Sequence, residues 1–377
     1  MKSTYDVIVV GLGAMGSATA YHLAARGAKV LGIDQHEPPH TFGSSHGESR
    51  IIRQLYYEHP LYVPLVQRSF ELWKKLEQDA NAPGLLHMTG GLMVGPESGE
   101  LLTGVRRSAA AHGLPLVDLD EQALRAKFPN FPLPTGLTAV LDPQAGLLLP
   151  EACITAHLTL AARHGATLQT GERVFDWMPS AGGIEVRTSR GTYSAGQIVV
   201  TAGAWISELF GGRGPRIMVE RQTLLWFEPP GDPAAWGPKR FPIYMCEFDD
   251  GQMVYGFPLL KRGFKAAVHY QGEEVTDVRQ MRREISPADV ARVQSAVARL
   301  FPWVKDAKVI DSGCCPYTDT ADLQFTIDWL PGELRVLVSS PCSGHGFKFA
   351  TAIGELQAQL LLDGRSDFDI TPFRIAR

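Results

Sequence analysis

The sequence predicts an α/β protein in which a parallel-sheet domain, assembled from separated segments, is interrupted by a second domain built on an antiparallel sheet. Three observations predict this. The chain opens with a strand, a glycine turn, a helix and a second strand between Tyr5 and Asp34. Apolar, β-branched strand patterns return at Gln197 to Thr201 and at Leu334 to Ser339. Between these returns, residues 220–275 are rich in aromatics, β-branched residues and turns such as Pro229-Pro230-Gly231 and Asp249-Asp250-Gly251, the pattern of antiparallel strands.

Tyr5 to Val10 is a β-branched apolar run suited to a strand buried on both faces. Gly11-Leu12-Gly13-Ala14-Met15-Gly16 follows at once. A helix is predicted from Ala14 to Arg26, stopped by Gly27 in the left-handed conformation. Lys29 to Ile33 reads as the next strand, with Asp34 at its carboxyl end. Further helices are predicted at Tyr62 to Leu76 and Glu151 to Arg163, and strands at Gly90 to Val94, Thr167 to Thr170 and Gly183 to Thr188. Ser286-Pro287-Ala288-Asp289 starts a helix, with serine as N-cap and proline in its first turn. Val290, Val293, Val297 and Leu300 share one face of it until Pro302. Gly344-His345-Gly346 is a turn before a helix from Phe347 to Leu362, closed by Gly364.

The 377 residues suffice for two compact domains. With 45% hydrophobic and 20% charged residues, the composition is that of a globular protein. A formal charge of -4 gives no reason to expect a nucleic-acid or anionic-membrane partner. No apolar run is long enough to cross a bilayer and no signal-peptide pattern opens the chain, so the expected location is cytoplasmic. Cys153, Cys246, Cys314, Cys315 and Cys342 form no metal-ligand spacing, and an odd count argues against a disulfide framework. No metal is expected.

The glycine motif has the context that gives it meaning. Gly11 permits the tight turn, Gly13 lets backbone approach a pyrophosphate, and Gly16 lets helix pack closely on strand. The helix N-terminus offers N–H groups to phosphates, and Asp34 follows at the offset of a carboxylate that accepts ribose hydroxyls. NAD and FAD both use such a turn. Two later features favour FAD: a strand ending in the glycine turn Ala202-Gly203-Ala204, and the turn at Gly344 and Gly346 leading into a helix whose N-terminus would stabilise a reduced, anionic flavin.

Several motifs together resemble one family, the monomeric sarcosine oxidases and N-methyl-L-tryptophan oxidases. They are the glycine motif, Gly47-Glu48-Ser49-Arg50-Ile51-Ile52-Arg53, Tyr255-Gly256-Phe257-Pro258, the stretch from Lys265 to His269, Cys315-Pro316-Tyr317, and Ser343-Gly344-His345-Gly346-Phe347-Lys348-Phe349. The resemblance spans nearly the whole chain. It implies a Rossmann-like FAD domain from residues 1–85, 145–220 and 310–377, and a substrate domain from 86–144 and 221–309. It also implies a monomer that oxidises a secondary-amine amino acid by hydride transfer to FAD. O2 would reoxidise the flavin to give H2O2, and the imine would hydrolyse, for N-methyl substrates, to formaldehyde and the amino acid.

The resemblance also implies roles. Cys315 would carry the flavin covalently through its sulfur, which needs an electropositive, accessible site for a thiolate. Lys265 would activate O2, its charge stabilising superoxide in a dry site. Arg53 and Lys348 would hold the substrate carboxylate, Lys348 also lying against the cofactor, and Arg50 would pack on the flavin ring. His269 would polarise the bound amine and His345 would contact the flavin. Tyr255, Tyr317 and Met245 would line an apolar slot. Taken singly, most of these residues read equally well as core or surface. The sequence departs from the family pattern at Ser44-Ser45-His46, at Pro316, and at Lys261-Arg262, which adds charge near the expected pocket mouth. Two other readings compete: an FAD-dependent amino-acid dehydrogenase using another acceptor, and a flavin-binding module without turnover.

Overall fold

The computed structural model describes residues 4–375. Among these residues the strands form sheets of eight, nine and three strands. The first sheet has a parallel centre: Thr167–Gln169, Val30–Ile33, Thr4–Val10, Thr192–Val200 and Glu333–Ser340 lie side by side in that order. Sequence-distant segments are thus neighbours, as the returning apolar strands predicted. Antiparallel strands Val174–Ser180, Gly183–Thr188 and Thr326–Leu330 extend it.

Helix Ala14–Ala25 is buried on nearly every side, which its small apolar residues permit. A Cβ at Gly354 would lie 2.6 Å from Ala18 backbone, so helix Ala350–Asp363 meets it at very short range. Helices Val63–Ala80 and Pro150–Arg163 complete this layer. Gly27 (φ +84°) ends the first helix, and its N–H bonds back to Ala24 O.

The second sheet comes from residues 91–142 and 218–319, and alternation along its strands builds the site. Paired residues share a face. Met245 opposes Tyr255, Tyr255 opposes Ala267, Leu224 opposes Ala267, and Trp226 opposes Lys265. One face therefore carries Lys265 and His269 beside Tyr255 and Met245. The opposite face carries Ala266, Val268, Val254, Leu225 and Phe227 into a core shared with Val293, Val297 and Leu300. That last helix, Pro287–Ala298, begins with a full capping box: Ser286 Oγ accepts from Asp289 N–H, and Asp289 accepts from Ser286 N–H.

Two elements differ from the sequence expectation. Strand Val309–Asp319 pairs along almost its whole length with Met218–Phe227, so it belongs to the second sheet and the change of sheet falls after Asp319 rather than at residue 310. Its polar, cysteine-bearing sequence carries no sign of which sheet completes its hydrogen bonds. The C-terminal helix also starts differently: Phe347–Phe349 is a 3₁₀ turn, and the α-helix begins at Ala350. Among the described residues, no helix is long and apolar enough to cross a membrane.

Candidate functional site

A single cavity is lined from both sheets, beginning at Gly11, Gly13 and Asp34 and reaching Cys315, His269 and Lys348. At its first end the chain is built for close approach. Gly11 has φ +92°, and a Cβ there would lie 2.7 Å from Thr201 O. A Cβ on Gly16 would lie 1.7 Å from Gly11 O, while one on Gly13 would meet open space. Thr201 ties the returning strand to the turn, donating from N–H to Val10 O and from Oγ1 to Gly11 O, both at 2.8 Å. Gly203 (φ +53°) follows on the cavity wall. Asp34 is held by the backbone: Oδ2 accepts from Leu12 N–H at 2.7 Å and Oδ1 from His36 N–H at 2.8 Å.

Midway lie Arg50 and Cys315. Arg50 donates to Ser49 O and Ser44 O, and Ser44 Oγ donates to Pro316 O at 2.6 Å, so the loop before Arg50 is fastened to the cysteine strand. Cys315 and Tyr317, two apart on one strand, both line the cavity; Cys314 points the other way, towards the carbonyls of Arg282 and Arg283. The alternation leaves Cys315 as the cysteine of that pair that faces the cavity. The surroundings are electropositive as expected, but the expected accessibility is absent: Cys315 is 2% exposed. Burial raises its thiol pKa, against the opposing pull of Arg50 and Lys265.

Lys265 is buried behind this point and does not line the cavity itself. Its Nζ donates to Gly47 O at 2.7 Å and Ser49 O at 2.9 Å. Burial, then Arg50, drive its pKa well below the usual lysine value.

At the far end Arg53 and Lys348, 295 positions apart in the sequence, line the same part of the cavity. Lys348 Nζ donates to His345 O at 2.6 Å, and burial followed by Arg53 lowers its pKa to about 7. Arg53 Nη1 donates to Leu55 O at 2.9 Å, while its buried Nε has no partner among the described residues. Sequence reasoning missed Glu58, which occupies the guanidinium. Burial pushes its carboxyl up, but Arg53, His345 and Lys348 bring it down to about 2. No local motif marks it.

Tyr255, Tyr317 and Met245 line the neighbouring wall with His269. His269 Nδ1 lies 3.3 Å from Tyr317 Oη, and its buried Nε2 has no partner among the described residues. Burial lowers its pKa to about 3, so the ring is neutral. His345 is also neutral, lowered to about 4 chiefly by burial. Its Nε2 faces Leu323 O, which only accepts, so Nε2 carries the proton and Nδ1 accepts from Tyr56 Oη at 2.5 Å. Gly344 (φ +70°) is packed beneath the Tyr317 and Tyr270 rings, and Gly346 turns back over Pro341. Arg262 stacks on Trp226 and pairs with Asp311 at 2.6 Å, off the cavity, so the added charge at Lys261-Arg262 does not crowd the pocket.

The lining fits a long dinucleotide. An open cradle at Gly13 sits at one end, cations and unpartnered polar nitrogens sit at the other, and one cavity joins them. The sequence model of the FAD dependent oxidoreductases (DAO) matches residues 6–360. A monomeric sarcosine oxidase of Streptomyces avermitilis is 39% identical, covering 99% of this chain and 97% of that protein. An N-methyl-L-tryptophan oxidase of Salmonella heidelberg is 34% identical, covering 99% of each. The solved glycine oxidase of Geobacillus kaustophilus shares the fold, with a TM-score of 0.80, 21% identity and 99% coverage of both chains.

Proposed function

The chain belongs to the FAD dependent oxidoreductase family, and from that premise we propose that it is an oxidase of N-methyl or other secondary-amine amino acids that uses O2 as electron acceptor. The observation that carries the reading is the pairing, in one cavity, of a buried cation pair with a neutral aromatic wall. Arg53 and Lys348 suit a carboxylate, and Tyr255, Tyr317, Met245 and neutral His269 suit an uncharged amine beside it.

FAD would be held by the turn at Gly11, Gly13 and Gly16, by Asp34 and Gly203, by the turn at Gly344 and Gly346, and covalently by Cys315; when bound it supplies hydride acceptance and electron transfer to oxygen. The chain's own residues do the rest. Arg53 and Lys348 fix the substrate carboxylate and so set the direction of the amine. His269 Nε2, buried and unpartnered, is placed to accept a hydrogen bond from the amine N–H and so to fix its orientation. The aromatic wall keeps water from the reacting carbon. Arg50 and Lys265 favour the Cys315 thiolate during attachment, and a charged Lys265 would stabilise superoxide as oxygen is reduced. The products would be H2O2 and an imine that hydrolyses, for N-methyl substrates, to formaldehyde and the amino acid.

Anaerobic mixing with a panel of N-methyl amino acids, proline and pipecolate should bleach the flavin absorbance with at least one of them. Aerobic turnover with that substrate should give one H2O2 per amine. Bleaching without H2O2 would transfer the chain to the dehydrogenases, and no bleaching at all would leave a binding module.

A further inference from the structure

We infer that Glu151 is a positioning residue for Lys265, acting through the single peptide unit that joins Gly47 to Glu48 to hold the lysine ammonium in place and favour its charged form. Glu151 stands in the first turn of helix Pro150–Arg163, and Lys265 on a strand of the second sheet. Glu151 Oε1 accepts from Gly47 N–H at 2.7 Å and from Glu48 N–H at 3.1 Å. The carbonyl of the same Gly47–Glu48 peptide accepts from Lys265 Nζ at 2.7 Å, and the ammonium also reaches Ser49 O at 2.9 Å and Ser49 Oγ at 3.3 Å. One peptide dipole thus has a carboxylate on its N–H and an ammonium on its C=O. Each charge polarises the peptide in the sense that strengthens the bond at the other end.

The turn is held for this purpose against its own preference. Gly47 and Glu48 have φ of +93° and +71°, and Glu48 is a residue that rarely adopts such a conformation. Its carboxylate is pinned from both sides, accepting from Trp226 Nε1–H at 3.2 Å and from Arg262 N–H at 3.0 Å. The groups facing Lys265 are few. Burial and Arg50 disfavour its charge; Cys315, Glu151 and Glu48 favour it. His46 is neutral there, its pKa lowered to about 3 chiefly by burial. The rings of Phe257 and Trp226 lie 4.7 and 5.5 Å from Nζ. Glu151 is the member of this set that bonds to the peptide on which Lys265 rests. The linkage stands on this geometry; its consequence for oxygen rests on the proposed role of Lys265.

The test uses the holoenzyme with lysine ¹³C-labelled at Cε, the Lys265 resonance being assigned by its loss in Lys265→Met. Glu151→Gln keeps an oxygen acceptor for the two N–H groups and removes the charge; Glu151→Ala removes both. The Lys265 titration midpoint should move down in Glu151→Gln and further in Glu151→Ala. The ratio of flavin reoxidation rate to reduction rate should fall roughly tenfold above the new midpoint, the loss expected for one charged hydrogen bond. A Lys265 titration unchanged in Glu151→Gln overturns the inference, and this near-isosteric variant decides the matter even where Glu151→Ala fails to fold. A shifted titration with an unchanged rate ratio upholds the linkage and removes Lys265 from the oxygen step.

Discussion

Arg53 donates from Nη2 to both carboxylate oxygens of Glu58, each at 2.7 Å. An internal carboxylate therefore holds the group that a substrate carboxylate would need, and Lys348 lies close enough to interact with both charges. Glu58→Gln should let amine-free monocarboxylates such as propionate bind at least about tenfold more tightly, because the competitor for a charged, bidentate site is gone. The same change should lower Tm, since a buried charge left without its partner costs about 3–5 kcal/mol. Flavin difference spectra and thermal melts read the two effects. Unchanged propionate affinity would remove Arg53 from the carboxylate site.

Lys348 makes ligand binding depend on pH. Burial first, then Arg53, lower its pKa to about 7, and only the protonated amine attracts a carboxylate. Affinity for propionate should be flat below pH 7 and weaken by up to about tenfold per unit above it. Glu58 stays ionised and His269 and His345 stay neutral through this range, their pKa values being about 2, 3 and 4, so none of these three produces the bend. Lys348→Met should bind weakly and without the bend. A bend that survives this substitution assigns the titration to another group.

Strand alternation decides which of the two adjacent cysteines faces the cavity. Cys315→Ser should release yellow colour to the supernatant on acid precipitation, whereas Cys314→Ser should keep it in the pellet. Retention of colour by Cys315→Ser would end the assignment of covalent attachment to that sulfur.

Gly13 and Gly16 should respond differently to a methyl group. A Cβ on Gly13 meets open space, whereas one on Gly16 lies 1.7 Å from the Gly11 carbonyl. Gly13→Ala should fold with a flavin-free Tm close to that of the parent and bind FAD more weakly. Gly16→Ala should lose several kcal/mol of stability, as overpacked sites do. Equal losses of stability in the two variants would contradict the distinction between cradle and packing contact.

Much of this was legible along the chain because the signals are local. The turn from Tyr5 to Asp34 announces itself through glycine spacing and β-branched runs, and Ser286-Pro287 through capping chemistry. The cations at Arg53, Lys265 and Lys348 and the thiol of Cys315 became interpretable only through resemblance of whole motifs, since an isolated lysine or arginine carries no periodic signal. Glu58 and Glu151 escaped both routes. Each is one acidic residue whose meaning lies in which backbone N–H or guanidinium it faces.

By itself, then, the sequence determined the dinucleotide turn, the discontinuous parallel sheet and the inventory of reactive side chains, all consequences of short-range periodicity and turn stereochemistry. Tertiary structure alone decided which sheet takes Val309–Asp319, and it supplied the geometric reason that Cys315 rather than Cys314 faces the cavity. It also decided that Arg53 is already paired and that Lys265 rests on a peptide held by Glu151. Those outcomes depend on hydrogen bonds and burial between segments distant in sequence, whose free energies no local pattern encodes.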